Sequence, residues 1–129
     1  MVLVDTSVWI DYFKQRNEAV ETELDGLLRS GQVAVSGLIL AELRRGCRAP
    51  AQVATLLAAL APLQYYEADR NTWLRAGEII SDCAQRGFAL EVGDCLLAAL
   101  ALRENCLLFT LDRDFERIPG LKLHRARLT

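Results

Sequence analysis

The stretch Val2-Leu3-Val4-Asp5-Thr6-Ser7-Val8-Trp9-Ile10-Asp11-Tyr12-Phe13 constrains the fold more than any other part of the chain. Val2 to Val4 is a short apolar run with β-branched residues, the pattern of a buried strand. It stops at Asp5, after which Val8, Trp9, Tyr12 and Phe13 recur at the three- and four-residue spacing of a helix. Asp5 therefore sits where a strand hands over to a helix. In an open α/β sheet that junction lies at the carboxyl edge of the strands, the crevice in which ligands bind. Taken alone, Asp5 also reads as an N-cap for a helix starting at Thr6 or Ser7.

The same handover recurs along the chain. Glu18 to Ser30 carries Val20, Leu24, Leu27 and Leu28 at helical spacing, with acids early and Arg29 late, and Gly31 ends it. Val33 to Val35 reads as a second strand, and Ser36 as the cap of a helix from about Gly37 to Arg45. Glu42 lies among Leu38, Ile39, Leu40, Ala41 and Leu43 on that helix, an unusual setting for an acid. Arg44, Arg45 and Arg48 follow, either as cations at a helix C-terminus or as a phosphate-binding patch. Pro50 opens a further helix up to Pro62, Leu63 to Glu67 is a third strand, and Asp69 caps a long amphipathic helix ending at Gly87. The apolar face of that last helix reads as core or as a subunit contact.

From Cys95 to Leu102 the sequence is apolar all the way round a helix, so this segment should be buried on every side, with Asp94 at its entrance. Cys106 to Thr110 is a fourth strand, followed at once by Asp112 and Asp114, which suit an Asx-turn or a cap. Leu121 to Leu123 reads as a short edge strand before a basic tail with His124, Arg125 and Arg127.

Strands alternating with helices imply a parallel sheet of four to five strands flanked by helices, and 129 residues are enough for one such domain, residues 1–129. No repeat, linker, signal peptide or membrane-length apolar run is evident, so the expected setting is a cytoplasmic one. The four cysteines, Cys47, Cys83, Cys95 and Cys106, include no close pair and read as free thiols. With His124 as the sole histidine, a histidine-rich zinc site is excluded. The net charge of −2 does not by itself advertise nucleic-acid binding. Neutralising four of the 17 acids would nonetheless leave 13 against 15 basic residues, an excess of +2, and nearly all the basic residues are arginine, which suits bidentate phosphate contacts.

In a parallel sheet Asp5 and Asp112 emerge at one edge, helix starts bring Asp94 to it, and Glu42 lies within about two helical turns. Two carboxylates about 4 Å apart repel by about 4 kcal/mol at an effective dielectric of 20. Such a cluster must take up protons, basic side chains or a cation. With oxygen donors only, the natural cation is Mg²⁺ or Mn²⁺, and the chemistry it suits is phosphodiester hydrolysis. A receiver-like phosphoacceptor is also α/β with clustered acids, but it needs an Asp after its third strand and a Lys after its fifth. This chain supplies neither in place.

Four segments together resemble the acidic motifs of PIN-domain ribonucleases. They are Val4-Asp5-Thr6-Ser7-Val8-Trp9-Ile10-Asp11-Tyr12-Phe13, Leu40-Ala41-Glu42-Leu43-Arg44-Arg45-Gly46, Gly93-Asp94-Cys95-Leu96-Leu97-Ala98-Ala99 and Thr110-Leu111-Asp112-Arg113-Asp114-Phe115. More narrowly, the chain resembles the VapC toxins of bacterial type II toxin–antitoxin pairs. The resemblance implies a Mg²⁺- or Mn²⁺-dependent endoribonuclease with Asp5, Glu42, Asp94 and Asp112 as its site. Asp5, Asp94 and Asp112 would hold metal, and Glu42 would position a water or a second ion. Thr6, Ser7, Thr110 and Asp114 match positions that support the acids. The resemblance further implies a homodimer and an antitoxin whose segment covers the acids, lying in an apolar groove for which Trp9, Tyr12 and Phe13 are candidates, although they equally suit the core. Arg44, Arg45 and Arg48 are the candidate RNA phosphate contacts. A PIN-domain nuclease of RNA processing, or a non-catalytic nucleic-acid-binding PIN module, is the alternative.

Overall fold

The computed structural model describes residues 1–125, so Arg127 of the basic tail lies outside the described residues. The strands are β1 (Val2–Val4), β2 (Val33–Ser36), β3 (Gln64–Tyr66), β4 (Leu107–Phe109) and β5 (Leu123–His124). The helices are α1 (Thr6–Lys14), α2 (Glu18–Arg29), α3 (Gly37–Arg45), α4 (Pro50–Leu60), α5 (Arg70–Gln85) and α6 (Val92–Glu104). A 3₁₀ segment, α7 (Arg113–Arg117), follows β4.

All strand pairings are parallel and the order is β3-β2-β1-β4-β5. The chain winds outward from β1 to β3, then returns to lay β4 on the other side of β1. The order therefore reverses between β1 and β4, the place where open α/β sheets form their ligand crevice. Val4 pairs with Phe109, and the Asp5 amide donates to the Phe109 carbonyl at 2.8 Å. The segments carrying Asp5 and Thr110 to Asp112 thus leave the sheet side by side.

The core follows the apolar pattern. Every residue of β1 and β2 is buried, as is every residue from Cys95 to Ala101 on α6. Burying a single Leu or Phe removes enough apolar surface to stabilise the fold by about 1.5–3 kcal/mol, so these central elements define the domain's rigid frame. α1 packs on α2 and α3, and α5 packs on α6. The amphipathic face of α5 divides: Ala76, Ile79 and Cys83 are buried, whereas Trp73 and Leu74 at its start are exposed. All four cysteines are free.

Several boundaries differ from the sequence pattern: β2 includes Ser36 and β4 is trimmed to Leu107–Phe109. β5 is Leu123–His124 rather than 121–123, and β3 is trimmed at both ends. α6 starts at Val92 with Glu91 as its N-cap, so Asp94 lies inside the first turn and not at the cap. The solvent-exposed Val92 and the small Gly93 hide the start of this helix from an apolar-period reading. Gly93 has a packing reason to be glycine, since a Cβ there would stand 3.1 Å from Leu38 of α3.

Candidate active site

Asp5 occupies the N-cap position of α1, yet its side chain makes no cap hydrogen bond. Its Oδ2 instead accepts two hydroxyls, from Ser7 at 2.8 Å and from Thr110 at 2.8 Å. The same two hydroxyls reach across the switch point as acceptors: Ser7 Oγ takes the Leu111 amide at 3.1 Å, and Thr110 Oγ1 takes the Asp112 amide at 3.0 Å. Asp5, 7% exposed, is thereby tied through Ser7 and Thr110 to the turn that carries Asp112. Asp112 Oδ1 accepts the Asp114 amide at 2.9 Å, the Asx-turn geometry foreseen for it, and caps the 3₁₀ segment. Asp114 itself is exposed and contributes its backbone to this turn.

Glu42 is half-buried on α3 and accepts the Thr6 hydroxyl at 3.0 Å, a contact across 36 residues of sequence. Asp94 is half-buried and feels the other acids most. Burial, then the charges of Asp5, Asp112, Glu91 and Glu42, push its carboxyl up from the ordinary 3.8 to about 6. The convergence of the four acids is thus visible as a shared field. Glu91 adds to that field although the acidic motifs do not include it; its place one helical turn before Asp94 is the signal that reveals it.

Among the described residues no Lys, Arg or His forms an ion pair with Asp5, Glu42, Asp94 or Asp112. Nor do any three His, Cys, Asp or Glu side chains among them stand ready to hold one ion together. The four acids share a field, then, without a closed coordination shell. Carboxylates with hydroxyl support, half-buried and lacking a counter-charge, are nonetheless the donor set that fits a hard divalent cation. His124 is engaged elsewhere, 2.8 Å from Glu23 and against the Phe109 ring. Cys95, adjacent to Asp94, is fully buried and its thiol is pushed up to about 11 by burial, which leaves it unreactive.

A cavity of about 410 Å³ between α1, α3 and α4 opens beside Glu42 and is lined by Ile10, Phe13, Lys14, Leu43, Cys47 and Leu56 among others. Of the three aromatic candidates for a groove, Phe13 lines it. Trp9 is fully buried and stacked on Phe13, and Tyr12 donates to Asp25 at 2.6 Å, which together with burial pushes its phenol up to about 12. Ile10 and Lys14 join Phe13 from α1, while the other lining residues come from α3, α4 and the turn between them, so only the packed fold brings them together. Arg44, Arg45 and Arg48 are exposed at the end of α3 and beyond, with Arg44 and Arg48 lining a separate shallow depression.

A family model described as the PIN domain matches residues 2–121. The chain belongs to the PIN-domain family. Within it, the chain is 30% identical over 125 residues to ribonuclease VapC11 of Mycobacterium tuberculosis, covering 94% of this chain and 93% of that protein. It is also 30% identical over 128 residues to ribonuclease VapC1 of Methanocaldococcus jannaschii, covering 95% of this chain and 86% of the relative. The VapC ribonucleases are thus its curated kin. Among solved structures, VapBC2 of Rickettsia felis bound to a promoter DNA fragment superposes with a TM-score of 0.81 at 24% identity, covering 96% of this chain and 98% of that one. DNA-bound VapBC of Salmonella typhimurium gives 0.82 at 24% identity, with 95% and 96% covered. These likenesses establish the PIN fold, a single parallel α/β sheet with helices around it. Among the described residues no helix is long and apolar enough to cross a membrane.

Proposed function

We propose that this PIN-domain protein is a Mg²⁺- or Mn²⁺-dependent endoribonuclease, the toxin of a toxin–antitoxin pair, cutting RNA at Asp5, Glu42, Asp94 and Asp112. One observation carries the reading: Asp94 is pushed up to about 6 by burial and by Asp5, Asp112, Glu91 and Glu42, and none of these acids has an ion pair among the described residues. Membership of the VapC ribonuclease kin supports the same chemistry.

In this reading Asp5, Asp94 and Asp112 hold the divalent ion. When bound, that ion supplies charge neutralisation of the scissile phosphate and a more acidic water. The chain's own residues prepare the site. Ser7 and Thr110 both engage Asp5 Oδ2, which fixes the carboxylate plane and leaves Oδ1 directed to other partners. Thr6 fixes Glu42 through Oε1 so that its other oxygen can accept a proton from an attacking water. Asp94, held at the start of the buried helix α6, brings the charge that most requires a cation.

The partner reading follows from the same surface. A related structure from Klebsiella pneumoniae is a toxin–antitoxin complex, and the cavity beside Glu42 offers this chain's apolar seat for an antitoxin segment, with Phe13 and Leu56 in its wall. An arginine on that segment would pair with the acids that otherwise take metal. A second copy of the chain would cover Trp73 and Leu74, exposed by 50% and 62%.

Cleavage of total small RNA by the purified protein, with Mn²⁺, with Mg²⁺ and with chelator, tests the proposal beside Asp94→Asn. Metal-dependent cutting that the variant loses is the expected result. Cutting that persists in chelator, or in the variant, would refute it.

A further inference from the structure

We propose that Phe88 and Arg117 form a seat for the RNA strand next to the acids, with Arg86 tying Arg117 to the end of α5. The inference rests on the ribonuclease reading for the location of the cut. Its own grounds are the loop and the 3₁₀ segment that border the site.

Phe88 lies in the loop of residues 86–91 between α5 and α6, and that loop leads into the turn carrying Asp94. Arg117 closes the 3₁₀ segment whose N-cap is Asp112. Two segments that deliver acids to the site therefore also deliver the two halves of the seat. The Arg117 guanidinium carbon lies 4.2 Å from the Phe88 ring centroid, and that of Arg86 lies 5.8 Å away. The exposed Val92 stands between Phe88 and Asp94 along the chain, and the exposed Leu111 adjoins Asp112 on the side away from Arg117.

The two arginines have different tasks. Arg86 is committed to the protein: its Nη2 donates to the Arg117 carbonyl at 3.1 Å and its Nε to the Asp82 carbonyl at 3.4 Å. It locks the end of α5 to the end of the 3₁₀ segment. Arg117 rests on the ring and has no ion pair among the described residues, while the neighbouring acid Glu116 is taken by Arg125 at 2.8 Å. An exposed cation–π contact contributes little to the fold and does not use the guanidinium's hydrogen-bond donors.

A positively charged plane beside an aromatic ring is what a single-stranded nucleic acid uses: the bases stack and the phosphates take bidentate arginine bonds. Five residues of 3₁₀ helix at about 2 Å each set Arg117 about 10 Å beyond Asp112 along the backbone. A strand cut at the acids would thus meet Arg117 within the next few nucleotides. Arg117 is a positioning residue in this scheme, since it touches RNA away from the scissile bond.

The test has a binding arm and a cleavage arm, each run on wild type, Arg117→Ala, Arg117→Lys and Phe88→Leu, with thermal midpoints alongside. Binding is followed by anisotropy of a fluorescein-labelled 20-nucleotide mixed-sequence RNA between 50 and 200 mM salt in Mg²⁺. Arg117→Ala should weaken binding about 5- to 10-fold and lower the salt slope by about 0.7. Arg117→Lys should keep the slope but not the affinity, and Phe88→Leu should lose affinity at unchanged slope. In cleavage of total small RNA, Arg117→Ala should raise KM by a similar factor with kcat within about twofold. Unchanged affinity and slope in Arg117→Ala, or losses that simply track a lowered thermal midpoint, would overturn the seat. So would absence of RNA binding by the wild type. Binding that depends on Arg117 without any cleavage would instead keep the seat and refute the ribonuclease reading.

Discussion

Asp5 and Asp69 occupy the same local position, an aspartate at the N-cap of a helix, and do opposite things. Asp69 serves its own helix: Oδ1 accepts the Thr72 amide at 2.9 Å and the Thr72 hydroxyl at 2.7 Å. These bonds hold its carboxyl below the ordinary value, and Arg103 adds to the effect. Asp5 gives its helix no side-chain cap and is held by hydroxyls that also reach the Asp112 turn. One acid stabilises a helix end; the other is kept away from that task and has no ion pair among the described residues. An N-cap aspartate ordinarily stabilises its helix by about 0.5–2 kcal/mol, so a chain that forgoes this at Asp5 is committing the carboxylate elsewhere. Local sequence cannot separate the two cases.

The contrast is broken most directly by activity. Asp5→Asn keeps the size and the hydroxyl contacts but removes the charge, and RNA cleavage should fall by at least about 100-fold with the urea midpoint little changed. An unfolded variant, or one that cleaves normally, would remove Asp5 from the site. Thr110→Val comes next. It deletes the bond to Asp5 and the acceptor for the Asp112 amide, together worth about 1–1.5 kcal/mol, and should lower kcat/KM about 10-fold.

Asp94 sharpens the comparison through pH. Its folded value, about 6, is above the ordinary 3.8, so between these values the folded state binds the extra proton. Stability without divalent metal should therefore fall as pH rises from about 4 to about 6 and stay reduced above that. Asp94→Asn should lack this component and be more stable than wild type at pH 7 by about 1 kcal/mol, less than the full shift implies because water reaches the carboxylate. A urea series with and without chelator would show it; a variant less stable than wild type at pH 7 would contradict it.

The smallest effect is at Asp69, where the sign reverses. A lowered carboxyl stabilises the fold at neutral pH and loses that contribution as pH falls through its folded value. Asp69→Ala should lower the urea midpoint modestly at pH 7 with cleavage within twofold of wild type, and the difference should close in acid. Cleavage lost in Asp69→Ala at an unchanged midpoint would erase the distinction between the two caps.

Much of this was legible in the sequence because each element announces itself locally. Val2–Val4, Val33–Val35 and Leu107–Phe109 are apolar runs too short for helices; Asp5 follows the first directly and Asp112 comes just past the last, after Thr110 and Leu111. Asp69 reads as a cap and is one. Val92 and Gly93 carry no apolar period, so the sequence pattern makes Asp94 resemble a cap although it lies in the first turn of α6. The Thr6–Glu42 bond spans 36 residues and the Arg86–Arg117 bond 31, separations over which no periodicity carries information. The cavity beside Glu42 draws on three helices and exists only once they pack. Trp9 and Phe13 share a helical spacing, yet one is sealed in the core and the other lines that cavity, a division set by the crossing of α1 with its neighbours.

The central claim is that Asp5, Asp94 and Asp112 form one cation site. Calorimetric titration of Mn²⁺ into the metal-free protein at pH 7, beside Asp5→Asn and Asp69→Ala, tests it without any RNA. Saturable binding by the wild type and by Asp69→Ala, weakened at least about 10-fold in Asp5→Asn, is the predicted result. No binding by the folded wild type, or equal binding by Asp5→Asn, would contradict it.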